Sequence, residues 1–236
     1  MKKINLFLLS VITLFSFYSC RKVVGEGPIV SEIRNTSNFS SIESGIPGVV
    51  YYTPSNIYRV EIQAQRNILE VIQATVVNNE LRIKVKNNTS IRHSDIVVNV
   101  SAPDVSALTV SGSGELKVLQ PYSPANTRLW VSGSGAITIS QLQTGDIDAG
   151  VSGSGDLRVL SGNANRESIV VSGSGKVDFE GIIAHSASTT TSGSGSIRLH
   201  VLDDLDCKIS GSGEVMYKGN PKIKSSISGS GKLVRL

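Results

Sequence analysis

Over residues 111–236 apolar and polar residues alternate, and the alternation passes through glycine-serine quartets without losing phase. In one stretch every second residue gives Val151, Gly153, Gly155, Leu157 and Val159, while the other set is Ser152, Ser154, Asp156 and Arg158. The same split sets Val131, Ile137 and Ile139 against Ser132 and Thr138, and Val171, Val177 and Phe179 against Ser172, Lys176 and Asp178. A period of two is that of strands with one buried face. The glycines share the parity of the buried set, the serines that of the exposed set. The alternation also runs backward through Leu129 and Thr127, Ala149 and Ile147, and Cys207 and Leu205. Two apolar arms thus meet at each quartet. Because the phase survives the junction, a bend in a continuous strand is expected rather than a tight reversal.

The quartet SGSG occurs at 111–114, 132–135, 152–155, 172–175, 192–195, 210–213 and 228–231, at intervals of 21, 20, 20, 20, 18 and 18 residues. A flexible linker has no reason to recur so regularly, whereas a fixed period near twenty marks a solenoid whose coils stack their cores. The predicted architecture is all-β: a right-handed parallel β-helix, the hand following from the chirality of parallel crossovers. Glycine is expected where neighbouring backbone comes too close for a side chain. The positions concerned are Gly112, Gly114, Gly133, Gly135, Gly153, Gly155, Gly173, Gly175, Gly193, Gly195, Gly211, Gly213, Gly229 and Gly231. Ordered glycines cost ~0.5–1 kcal/mol each relative to alanine, so only a geometry that needs them would keep so many.

Residues 36–110 lack the repeat but alternate in GVVYYT, YRVEIQA, ELRIKVK and DIVVNVSAP. Between them RNILEVIQATVV spaces Ile68, Leu69, Ile72 and Val76 for one short helix. This part reads as a β-rich N-terminal cap of the solenoid or a small domain fused to it. Residues 20–35 read as a tether, and 111–236 as the repeat itself.

The first nineteen residues carry Lys2 and Lys3 ahead of an apolar run from Ile4 to Tyr18, the layout of a secretory signal and too short to span a bilayer comfortably. The run ends at Ser19-Cys20 and resembles a bacterial lipoprotein signal, with Cys20 the expected site of lipidation. Only Cys207 remains after it, so no disulfide framework is expected and Cys207 reads as a small buried hydrophobe. Removing the leader lysines lowers the net charge from +4 to about +2, and no basic stripe suggests nucleic acid.

The stretches NFSSIESGIPGVVYYT, YRVEIQAQRNILEVIQATVVNNELRIKV and VVNVSAPDVSALTVSGSG together resemble the putative auto-transporter adhesin, head GIN domain family of exported bacterial envelope proteins. The resemblance covers nearly all of the chain after the leader. It implies a β-helix-like fold and an adhesive role, and it supplies no catalytic residues.

Parallel β-helices also host polysaccharide lyases and hydrolases, whose signature is acidic and basic groups gathered on one wall. Asp146 and Asp148 sit together, but the positions one coil on are Arg166 and Ser168. The outward column after the quartets reads Glu115, Ala136, Asp156, Lys176, Ser196, Glu214 and Lys232, a solvated surface. Repeats that bind calcium in β-helices need an aspartate in every coil, and here only Asp156 follows a quartet. Asp203, Asp204 and Asp206 read as a solvated loop, and His93, His185 and His200 show no metal spacing. No cofactor is implied.

The segments away from the quartets vary: QPYSPANT, SGNANRES, EGIIAHSA, VLDDLD and YKGNPK. Variable loops on a rigid stack are where recognition usually sits. The expectation is therefore a non-catalytic binding or adhesion scaffold, exported and lipid-anchored in the cell envelope at the outer membrane, facing either the periplasm or the exterior. Its expected ligand is a glycan or a protein, and an end-to-end homodimer is a further expected contact. The alternative is a carbohydrate-active enzyme.

Overall fold

The computed structural model describes residues 21–92 and 95–236; the leader 1–19, Cys20 and His93 lie outside them. The first half runs through β1 (Arg21–Val24), β2 (Ile29–Arg34), β3 (Ser41–Gly45), β4 (Val49–Pro54), β5 (Arg59–Gln65), the helical turn α1 (Arg66–Leu69), β6 (Ile72–Val77), β7 (Glu80–Val85), β8 (Thr89–Arg92) and β9 (Val97–Ala102). One expectation is corrected here, and the expected short helix is present but narrower than its spacing suggested. Residues 21–34 are not a loose tether: β1 pairs with β8 in parallel and β2 pairs with β5 in antiparallel fashion. The helix stops after one turn, and Ile72 and Val76 belong to β6, which pairs antiparallel with β7. Ile72, Ala74 and Val76 fit a two-residue period as well as a helical one, and pairing with β7 decides between them.

From residue 107 the chain winds through β10 (Ala107–Gly112), β11 (Glu115–Val118), β12 (Thr127–Gly133), β13 (Ala136–Ile139), β14 (Leu142–Gln143), β15 (Asp146–Gly153), β16 (Asp156–Val159), β17 (Gly162–Gly173), β18 (Lys176–Gly193), β19 (Ser196–Gly211), β20 (Glu214–Lys218), β21 (Lys222–Gly229) and β22 (Lys232–Arg235). These strands form three parallel stacks. Arms entering the corners pair β10–β12–β15–β17–β18–β19–β21. Arms leaving them pair β11–β13–β16–β18–β19–β20–β22. The third stack is short, with Leu142 beside Gly162 and Gly162 beside Ile182. The drop from 20 to 18 residues per coil is absorbed by register shifts after Phe179 and after Ala184.

All seven quartets stack in register, Gly112 on Gly133 and onward through Gly153, Gly173, Gly193 and Gly211 to Gly229. The first glycine of each has φ between 108° and 133°, the left-handed side that side chains avoid. Each corner is also tied to the one before it: Ser154 N–H donates to Gly133 O at 2.9 Å, and Asp156 N–H donates to Gly135 O at 3.0 Å. The two arms lie on different stacks, so the quartet is a corner between faces.

The coils do not stack in chain order at the N-terminal end. β3 and β4 pair with β10 and β11 on one side and with β7 and β9 on the other, all in parallel. The chain thus lays down an inner coil first, leaves through β5, α1 and β6, and returns to place β7 and β9 outside it. β10 runs across residues 110 and 111 and carries the same sheet from one part of the chain into the other. Antiparallel β5 and β6 then cover the outer edges of β9 and β7, which blunts two edges open to strand addition.

Inward columns fill the interior: Val110, Val131, Val151 and Val171 on one face, Leu116, Ile137, Leu157 and Val177 on the next, all buried. Cys207 is a free thiol in the column of Leu129, Ala149 and Ile169, and burial pushes its pKa up. At the far end Ile223 and Ile227, stacked on Leu205 and Ile209, remain 44 % and 43 % exposed.

Candidate functional site

The loop 119–126, which contains the QPYSPAN stretch, is held down by Tyr122. Its hydroxyl donates to Val105 O at 2.6 Å, its ring meets Tyr52 edge-on at 5.7 Å, and Tyr52 donates to Ala102 O at 3.1 Å. Burial pushes Tyr52 up to about 12 and Tyr122 further in the same direction, so both phenols stay neutral donors. This support shapes a hollow of about 610 Å³ whose wall includes Pro54, Pro103, Pro121 and Pro124 beside Tyr122 and Ala125. Four prolines in one wall give a surface that loses little entropy when a ligand settles on it.

A second hollow of about 410 Å³ shares Ser106 and Asn126 with the first, so the two adjoin along one grooved surface. Its floor is the entering face, where Arg128, Asp148, Asp146 and Arg166 project from β12, β15 and β17. Arg128 Nε bonds Asp148 Oδ2 at 3.0 Å across one coil spacing, and Arg166 bonds Asp146 across the next. Asn126 Oδ1 accepts from Asp146 N–H at 3.0 Å. Asp146 and Asp148, which the sequence singles out as an acid pair, are thus each neutralised by an arginine from a different neighbouring coil. Exposed pairs of this kind add little stability, and their value here is to hold four polar groups in fixed positions beside the apolar wall.

The other candidates disperse. The seven-residue column Glu115 to Lys232 stands in register along the leaving face. Asp203 bonds His185 Nδ1 at 2.8 Å, Asp206 faces Lys224 at 3.9 Å, and Asp204 lies beside Lys222 in the strand register. No cluster of three or more metal-ligating side chains occurs among the described residues.

Sequence reasoning missed two features. Glu167 sits in an inward column between Ile147 and Ala187, fully buried with neither carboxylate oxygen bonded. Desolvation pushes its pKa well above the usual range and so favours the uncharged form inside the core. Trp130, the chain's one tryptophan, lies on the outward face with its six-membered ring over Gly150: a β-carbon there would fall 2.6 Å from Cε3. The available signal was a glycine twenty residues after a tryptophan in a chain with that period.

A family model described as putative auto-transporter adhesin, head GIN domain, matches residues 38–221. The chain belongs to this family. Solved structures share the fold. A putative adhesin from Bacteroides fragilis superposes with a TM-score of 0.85 at 22% identity, over 91% of this chain and 100% of its own. A protein from Parabacteroides distasonis described as a putative lipid binding protein gives 0.75 at 22% identity, over 92% and 100%. A putative adhesin from Parabacteroides merdae gives 0.72 at 19% identity, over 92% and 99%. No curated protein matches the chain.

Proposed function

We propose that this head GIN protein is a non-catalytic adhesion protein of the bacterial envelope, anchored through lipid on Cys20, and that it seats its ligand in the groove between the proline-lined loop and the entering face. The observation that carries the reading is the groove itself. A rigid apolar wall and two coil-bridging charge pairs converge there, the pattern of a binding site. Family membership, and the adhesin descriptions given to relatives of the same fold, support the adhesive role. Each carboxylate of the groove is paired with an arginine from a neighbouring coil, an arrangement that holds its oxygens in place for hydrogen bonding to a ligand.

The test is adherence of beads coated with the purified protein to mucin-coated glass and to epithelial cells. Ala125→Trp, which fills the apolar hollow from an exposed loop, is expected to abolish adherence while leaving the melting temperature within a few degrees. Undiminished adherence of that variant would overturn the reading.

A further inference from the structure

We infer that the entering face beside the groove is a stacking platform for a neutral saccharide, with Trp130 as its aromatic floor. The inference rests on the binding role proposed above and names the chemistry of the ligand.

The platform is built by register. On the outward side of β12, β15 and β17 the residues Trp130, Gly150 and Val170 stand in one column. Adjacent coils are ~4.8 Å apart and successive outward residues on a strand ~6.6 Å apart, so this column is an apolar strip about as wide as one sugar ring. Gly150 has no side chain, and the half-buried indole uses that space to lie down across the next coil instead of standing away from the sheet. Val170, 39% exposed, extends the strip by one coil.

Hydrogen-bonding groups flank the strip on both sides. Two residues back along the strands stand Arg128 and Asp148, whose ion pair also floors the groove. Two residues forward runs the exposed serine column Ser132, Ser152 and Ser172. A sugar ring has the matching form, an apolar face of C–H bonds edged all round by hydroxyls. Its C–H face complements the negative face of an indole, and its hydroxyls suit a carboxylate, a guanidinium and serines that each accept or donate. The charges at the platform occur in matched pairs, Arg128 with Asp148 and Arg166 with Asp146, so the surface carries no excess sign to select an acidic polysaccharide. A neutral glycan is the occupant that fits both the strip and its charge balance.

The lone tryptophan makes the test clean. Purified protein is titrated with neutral oligosaccharides, namely gluco-, galacto- and manno-oligosaccharides and the neutral core chains of mucin, while indole fluorescence is followed. At least one series is expected to shift or quench the emission saturably. Calorimetry should then show affinity at least about tenfold weaker in Trp130→Leu and partly retained in Trp130→Phe. Leucine still covers Gly150, so near-parental melting separates lost stacking from lost packing. Absence of a saturable change across the panel overturns the inference, as does equal affinity in Trp130→Leu. If the panel fails while Ala125→Trp still abolishes bead adherence, the glycan inference falls and the adhesive groove stands.

Discussion

The carbonyl oxygen of Gly133 stands 2.5 Å from the point where a β-carbon on Gly153 would be, and Gly153 itself has φ 116°. Any side chain at 153 therefore meets the backbone of the coil beneath and a backbone conformation that disfavours it. Gly155, two residues on, is buried, and a β-carbon there would meet the Val131 side chain and lie 2.5 Å from Gly135 O. Ser152 and Ser154 point to solvent.

Gly153→Val is accordingly expected to lower stability by at least ~1–3 kcal/mol from overpacking, with backbone strain adding to it. Ser152→Thr should stay within about 0.5 kcal/mol. Thermal melts of the two variants check this. Equal shifts would mean that the corner does not need its glycine.

Much of this corner was legible because period and parity are written directly in the chain, and seven copies make the pattern unmistakable. The corner formed by Ser44 to Gly48 was not. Ser44 lies opposite Val110 and Val49 opposite Glu115, so SGIPG spans the same five steps as a quartet corner. Yet Ile46 and Pro47 replace the residues by which a repeat is recognised. The insertion of this coil between β7 with β9 and β10 with β11 is a long-range choice of partner, and alternation fixes which residues face inward, not which strand lies beside which. Glu167 was hidden for the opposite reason. Its parity says inward, but composition reads a glutamate in a loop-like stretch as solvated.

Glu167 sets a pH dependence. Its folded pKa is raised above the usual 4.5 by desolvation, so above about pH 4.5 the unfolded chain sheds a proton that the folded chain keeps. The unfolded state then binds fewer protons, and stability falls as pH rises from there toward the folded pKa. Glu167→Gln should flatten this part of the stability–pH curve, and Glu167→Leu should melt higher than the parent at pH 7, by a margin that shrinks toward pH 4. A margin independent of pH, in denaturant melts from pH 4 to 8, would show that the carboxyl finds water in the folded state.

Tyr122→Phe removes the donor to Val105 O and strands a buried carbonyl. A cost of ~1–3 kcal/mol is expected, with faster amide exchange in residues 119–126. Unchanged exchange in that loop would mean that the Tyr52 contact alone holds the groove wall.

Cys20→Ala is expected to abolish incorporation of a labelled fatty acid and to release the protein from the membrane fraction, as the apolar run ending at that cysteine implies. Equal labelling of variant and parent would remove the anchor from the account.

The most direct measurement of the binding role is amide hydrogen exchange of the protein with and without saturating mucin. The groove and its platform predict protection confined to residues 103–108, 121–130, 146–150 and 166–170, with the leaving-face strands β13 and β16 unchanged. Protection centred on β13 and β16, or no protection under conditions where coated beads adhere, would contradict the placement of the ligand.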